Sequence, residues 1–315
     1  MSSAAAIVVA VKGSLALTVF AGGLHSKAGD ATYLRRHRPL FARSIISMNV
    51  VIPVLALGLV IALHLRPPVQ LALVALALSP VPAALSIEAA RVRREDSYMI
   101  GLLVGASTVA LVLVPATMWL LGIALGGAFV VSSVLVVRII GATVIIPLAL
   151  GFGTRRIAPR AAARSAPPLS ALARVVLIVA LLPVLGTSWP ALRSMIGNGT
   201  LAAIVVITGV GLFTGHRLGG PVRDDRTVLA LATALRHPGI AIAIASTVFP
   251  DQKVVAAVVL LTLFVGGIAS APYATWSKQM FYAGDDAVSR SRRPARPVAD
   301  STPAIRLGSS PERRK

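Results

Sequence analysis

The chain has 315 residues, of which 56% are hydrophobic and only 13% are charged, and its mean hydropathy is +0.82. A soluble domain carries roughly a quarter of charged residues, so a soluble globular protein is excluded. The absence of cysteine excludes disulfides, thiolate metal sites and thiol redox chemistry. The net charge of +20 comes mainly from short connections and the C-terminal tail. That distribution is typical of membrane orientation signals rather than of nucleic-acid binding.

Nine apolar stretches are each close to the length of about 20 residues that a membrane helix needs. They lie near 4–24, 43–64, 69–90, 97–122, 127–150, 171–190, 200–216, 227–249 and 253–276. Basic residues concentrate in the odd-numbered connections and in the tail. The positive-inside rule then predicts an integral protein of the cell (inner) membrane, with its N-terminus outside and its C-terminus in the cytoplasm.

Spans one to four match spans six to nine in order, and the offset by an odd number of spans predicts an inverted-topology repeat. We therefore expect an all-α polytopic membrane protein with nine transmembrane helices in a 5+4 arrangement. Residues 1–150 would form the first repeat and an unpaired fifth span, and 151–170 a basic, Pro- and Ala-rich cytoplasmic loop. Residues 171–281 would form the second repeat, and 282–315 a disordered basic cytoplasmic tail.

Each half contains prolines inside an apolar span. Pro80 and Pro82 interrupt the third span, and Pro238-Gly239 interrupts the eighth. Proline lacks an N–H and clashes with the preceding turn, so the helix breaks. Broken helices within a bilayer must face protein or a water-filled cavity. Paired broken helices in two halves predict two crossed discontinuous helices around the binding site of a secondary transporter.

Arg236 and His237 directly precede the second break. A guanidinium beside a half-helix end would bind an anionic group of a substrate. Alternatively, Arg236 pairs with carbonyls that the break leaves free and contacts no substrate. His237 could relay protons, or act only as a neutral hydrogen-bond partner of the broken backbone.

Glu88, after Pro82, is a second candidate for proton coupling. It could lie in the bundle and pair with Lys12 or Arg138, which both lie within apolar spans, or pair with Arg91 at the cytoplasmic surface. The sequence does not choose between these partners.

Hydroxyl groups near the breaks are further candidates for substrate contacts: Ser79, Ser86 and Thr233. Most hydroxyls in membrane helices bond to their own helix. The pairs Gly101/Gly105 and Gly211/Gly215 predict close helix packing.

These features resemble the bile acid:sodium symporter family over about residues 5–276. The resemblance is carried by Gly22-Gly23, Arg38-Pro39, Pro80 with Glu95-Asp96, and the stretch from Arg236 to Ala241. It implies a ten-helix inverted repeat with a core domain and a panel domain, of which some members lack the first helix. It further implies a transporter, not an enzyme, that moves a small organic anion by alternating access.

The resemblance also implies a set of sodium ligands, and here the chain departs from the family. The family's Ser and Asn at the first crossing fall on Leu85 and Ser86, and its Glu, Gln and Asn at the second fall on Ala232, Arg236 and His237. A guanidinium in a poorly screened site would repel sodium. We therefore expect no cofactor. A sodium ion stays possible, but the family's ligands for it are absent, so we expect no sodium coupling through them.

Loss of these ligands leaves two alternatives. One is a non-transporting membrane receptor or scaffold that keeps the transporter fold. The other is a carrier of the auxin-efflux type, with crossed helices and no sodium. The expected partners are a small organic anion and the lipid bilayer, without nucleic acid, and the sequence does not specify an oligomeric state.

Overall fold

The computed structural model describes residues 3–26, 29–79, 97–124, 133–195, 197–236, 238, 241–242 and 253–291, and every regular element among them is helical. The principal helices are α1 (Ser3–His25), α2 (Arg38–Ala62), α3 (Pro67–Leu78), α4 (Ser97–Ala124), α5 (133–157), α6 (Pro159–Met195), α7 (Thr200–Leu218), α8 (Arg223–Ala234) and α9 (Lys253–Ser291). A 3-10 turn, Asp30–Thr32, and one helical turn, Tyr33–Arg36, connect α1 to α2.

Six helices in the described part of the chain are long and apolar enough to cross a membrane: α2, α4, α5, α6, α7 and α9. Two shorter apolar helices, Val9–His25 within α1 and Pro67–Leu78, accompany them. The prediction of an all-α polytopic membrane protein is therefore confirmed. The count of nine spans and the inverted repeat stay predictions, because the expected second halves of spans three and eight lie largely outside the described residues.

The helices pack in two groups. In the first group, α1 packs against α5 and α6. Gly23 and Gly151 allow the backbones of α1 and α5 to touch, since a Cβ at Gly23 would lie 2.9 Å from the Gly151 Cα. In the second group, α7 packs against α2, α8 and α9, while α3 packs against α2 and α9. Contacts between α6 and α9 join the two groups.

The glycine pairs that predicted close packing do lie at tight contacts. A Cβ at Gly215 would lie 2.6 Å from the Leu229 carbonyl oxygen on α8, and one at Gly105 would lie 2.8 Å from the Phe41 ring. The small residues therefore position α8 directly against α7.

Helices α3 and α8 have the same length and similar ends. Each contains 12 residues, about 18 Å at 1.5 Å per residue, which is shorter than the apolar core of a bilayer at about 30 Å. Each ends at an extended residue, Ser79 with ψ of 144° and Leu235 with ψ of 135°. The final eight residues of both helices are buried. Both helices thus end inside the protein.

Two helices contain a π-helical segment that ends two residues before a proline. In α2 the segment is Ile46–Val51, followed by Pro53, and in α5 it is Gly141–Ile145, followed by Pro147. Proline clashes with the carbonyl one turn earlier, and a wider turn relieves that clash while leaving carbonyls without an N–H partner. The sequence analysis did not predict these segments.

Two regions are more helical than the sequence predicted. Residues 151–170, expected as a loop, are helical except at Ala158, since α5 runs to Ile157 and α6 begins at Pro159. The run Ala161–Ala163 favours helix strongly. Helix α9 continues to Ser291, so residues 282–291 of the expected tail are also helical. The chain has no proline between Pro272 and Pro294 that would end the helix earlier.

Candidate functional site

Arg236 joins the ends of α3 and α8. It follows the extended residue Leu235 at the end of α8, and only 5% of its surface is exposed. Its Nη1 donates a hydrogen bond of 3.1 Å to the main-chain carbonyl of Ser79, the residue that ends α3. The residue expected before the second break therefore contacts the residue that precedes the first break, 157 positions away.

The second acceptor of Arg236 lies in the π-helical segment of α2. Nη2 donates to the carbonyl of Met48. Met48 lies in the segment where the regular i to i+4 pairing of α2 is interrupted. The guanidinium supplies a donor to this buried carbonyl.

A hydrogen-bonded pair of hydroxyls also connects α2 to α8. Ser47 Oγ and Thr233 Oγ1 are 3.0 Å apart and buried, joining α2 to α8. Ser79 Oγ donates instead to Leu76 O at 2.8 Å within its own helix. We refer to Ser47, Met48, Ser79, Thr233 and Arg236 as the Arg236 cluster. Of the predicted site residues, it brings together Ser79, Thr233 and Arg236.

Electrostatics explains why a guanidinium suits this position. The C-terminal end of a helix carries a partial negative charge on its unpaired carbonyls, which favours a nearby cation. Both α3 and α8 end at the cluster, and the hydrogen bonds of Arg236 within the described residues go to main-chain carbonyls. Among the described residues, Arg236 Nε is one of six buried side-chain polar atoms without a hydrogen-bond partner, and Oδ1 of Asn49, the residue after Met48, is another.

A mostly apolar cavity lies between the two helix groups. Its walls come from α1, α6 and α9, and from Pro238 and Ile242 after the second break; they include Lys12, Leu181, Val184 and Leu260. Its volume is about 130 Å³, comparable with the ~150 Å³ apolar cavities that accept one benzene ring. Among the described residues of the lining, Lys12 is the one that carries a charge, and it is exposed.

Lys12 was not predicted as a site residue. The sequence presented it as a cation within an apolar span, to be explained by an interface or by Glu88. Its position in the wall of a cavity depends on the packing of α1 against α6, which no local pattern reveals. Arg138, the other intramembrane cation considered, is an exposed residue of α5.

Several predicted residues lie outside the described residues: Pro80, Pro82, Ser86, Glu88, His237 and Gly239. Their roles stay predictions. Within the described ranges, no three His, Asp or Glu side chains gather as ligands of a metal would.

Comparison with known proteins identifies the family. The model of the sodium bile acid symporter family matches residues 14–210, whereas a search of curated proteins finds no significant match. The matched part contains α2, α3 and the Ser79 break but ends before α8 and Arg236. Because the match covers more than half of a chain that folds as a bundle of apolar helices, this protein belongs to the sodium bile acid symporter family, whose members are membrane transporters.

Proposed function

We propose that this protein is a secondary transporter that moves a small organic anion by alternating access. The observation that carries the proposal is the cavity between the two helix groups, with apolar walls, one cationic side chain and the second helix break at its edge. Sites for small molecules are typically concave and apolar, with a few placed polar groups that orient the ligand. A cavity between two groups of helices is also well placed to open to either side when the groups move relative to each other.

The lining indicates the chemistry of the substrate. A volume near that of one aromatic ring favours a compact apolar body. A single positive charge, Lys12, favours one carboxylate or sulfonate group. A monocarboxylate of about the size of benzoate or phenylacetate fits both features.

The Arg236 cluster is the second part of the proposed site. Two of the five N–H groups of the guanidinium donate to carbonyls. Nε, which has no partner among the described residues, is available to contact an anion. Thr233 and Ser79, together with Ser86 and His237, stay predicted contacts, and His237 or Glu88 stays predicted for proton coupling. Sodium coupling through the family's ligands is not part of the proposal, since Ala232 and Arg236 occupy two of those positions.

The test begins with purified protein. Benzoate and phenylacetate should raise the unfolding temperature, whereas the neutral analogue benzamide should not. Uptake of a stabilising anion into proteoliposomes should then be measured with sodium, without sodium and with an imposed pH gradient. We expect uptake that is independent of sodium. Stimulation by the pH gradient would support proton coupling.

Lys12→Gln tests the anionic contact. Loss of a charge-assisted hydrogen bond should raise the half-saturation concentration for uptake about 10-fold or more. Lys12→Arg should retain most of the affinity, and Arg66→Gln, an exposed arginine between α2 and α3, should leave uptake unchanged. Equal affinities for wild type and Lys12→Gln would refute the contact, and binding without flux would favour a receptor over a transporter.

A further inference from the structure

We infer that Arg236 is a built-in cation, whose guanidinium permanently occupies a carbonyl-lined cation position where α3, α8 and the π-helical segment of α2 meet. The inference concerns which ions could drive transport, and in that respect it rests on the proposed function. Its geometry and its test depend on no substrate.

The first support is the origin of the ligands. In the part of the chain that the structure describes, the oxygens that accept from the guanidinium are the main-chain carbonyls of Ser79, after α3, and Met48, in α2. Ser79 directly follows the end of α3, and Met48 lies in the π-helical segment of α2, so both carbonyls are at positions where regular helical pairing is interrupted. Such buried carbonyls favour an additional donor or a cation whatever the substrate.

The second support is the field at this position. Two helix C-termini converge on the cluster, and each adds partial negative charge. A positive group between them is therefore stabilised, and Arg236 is 95% buried there. Because an arginine side chain is always protonated at physiological pH, it fills the position at every stage of a cycle.

A tethered cation differs functionally from a dissolved one. An ion from solution can leave with each turnover and so link transport to its own gradient. A guanidinium cannot leave, so no ion gradient can act through this position. It also ties the ends of α3 and α8 to α2, and these three elements should move as one body.

Removal of the side chain should therefore create a vacancy that small cations can refill. The experiment compares the unfolding temperatures of purified wild type and Arg236→Ala at constant ionic strength. The reference cation is N-methyl-D-glucamine, and the test cations are sodium, potassium, and guanidinium or methylguanidinium at up to 10 mM. Wild type should unfold at the same temperature in each. Arg236→Ala should unfold several degrees lower, because the Ser79 and Met48 carbonyls lose the donor that Arg236 supplies.

Guanidinium or methylguanidinium should restore at least half of that loss in Arg236→Ala, and the restoration should saturate with concentration, as expected for binding to the folded state. Arg193→Ala is the matched control, because Arg193 is exposed and lies over the Trp189 ring. It should show neither the loss nor the response. An unchanged unfolding temperature in Arg236→Ala, or equal responses in both variants, would overturn the inference.

A second pair of variants covers the case in which Arg236→Ala fails to fold. Arg236→Lys keeps a charge at the position and should remain indifferent to added cations, whereas Arg236→Gln removes it and should respond to them. Identical behaviour of the two would show that charge is not what the position requires. Failure of every organic anion in the uptake assay would refute the proposed function and leave these results intact.

Discussion

Helices α3 and α8 have the same length and the same kind of end, yet they contribute opposite groups to the site. After α3 comes Ser79, whose carbonyl accepts a hydrogen bond, and after α8 comes Arg236, whose guanidinium donates it. Two converging helix C-termini would be unfavourable without a positive charge between them. The backbones of the two helices end in the same way. The arginine after α8 therefore allows the two ends to be joined by a hydrogen bond.

The two helices also begin differently. Helix α3 starts with Pro67 and Pro68. Proline is tolerated in the first turn because the N–H groups there have no partner within the helix. Helix α8 has Asp224 and Asp225 in its first turn, where carboxylates favour the positive end of the helix. Equal lengths are thus reached through unrelated start signals.

The largest loss of stability should come from a substitution that forces α8 away from α7. We expect Gly215→Ala to prevent stable folding or to destabilise the protein by about 3 kcal/mol or more, since its Cβ would lie 2.6 Å from the Leu229 carbonyl oxygen and the obstacle is backbone. Yield and the unfolding temperature in detergent measure it.

Gly209→Ala is the matched control on the same helix, since a Cβ there meets nothing within 4 Å. It should be neutral or slightly stabilising, because alanine favours helix more than glycine does. Equal damage from both substitutions would mean that tight α7–α8 packing does not explain the loss.

An intermediate effect should come from Pro53. Pro53→Ala adds an N–H that lets the π-helical segment return to α-helical pairing, which should move the Met48 carbonyl away from Arg236. The effects of Pro53→Ala and Arg236→Gln on stability should therefore overlap, with a coupling of about 1 kcal/mol in a double-mutant cycle.

Pro147→Ala supplies the control for that cycle, because Pro147 follows the other π-helical segment. Its effect should add to that of Arg236→Gln. If the effects of Pro53→Ala and Arg236→Gln on stability also simply add, Pro53 does not influence the hydrogen bond between Arg236 and Met48.

The smallest effect should come from the hydroxyl pair. Thr233→Val removes the hydrogen bond to Ser47 and should lower stability by about 1 kcal/mol. Thr214→Val, whose hydroxyl bonds only within α7, should change stability less. If thermal unfolding shows the reverse order, the bond between α2 and α8 is not a significant contact.

Much of the membrane architecture followed from local patterns. Apolar stretches of membrane length predicted where the apolar parts of the helices lie, because hydrocarbon admits a helix only when nearly every side chain is apolar. They did not predict that α6 begins already at Pro159 or that α9 continues to Ser291. The helical state of 151–170 was missed, because basic residues and prolines were interpreted as a loop although alanine favours helix there. The π-helical segment of α2 was missed because a proline two residues beyond it predicts a disturbance but not its form.

The sequence by itself determined that the chain lies in a membrane, that apolar helices traverse it and that Arg236 adjoins a break. It left open whether this arginine binds substrate or freed carbonyls, and it assigned Lys12 no site. Only the tertiary structure placed the carbonyls of Met48 and Ser79 at the guanidinium and Lys12 in a cavity wall. The reason is physical: composition and helix breaks are properties of neighbouring residues, whereas the partner of a buried charge is set by the packing of helices far apart in the chain.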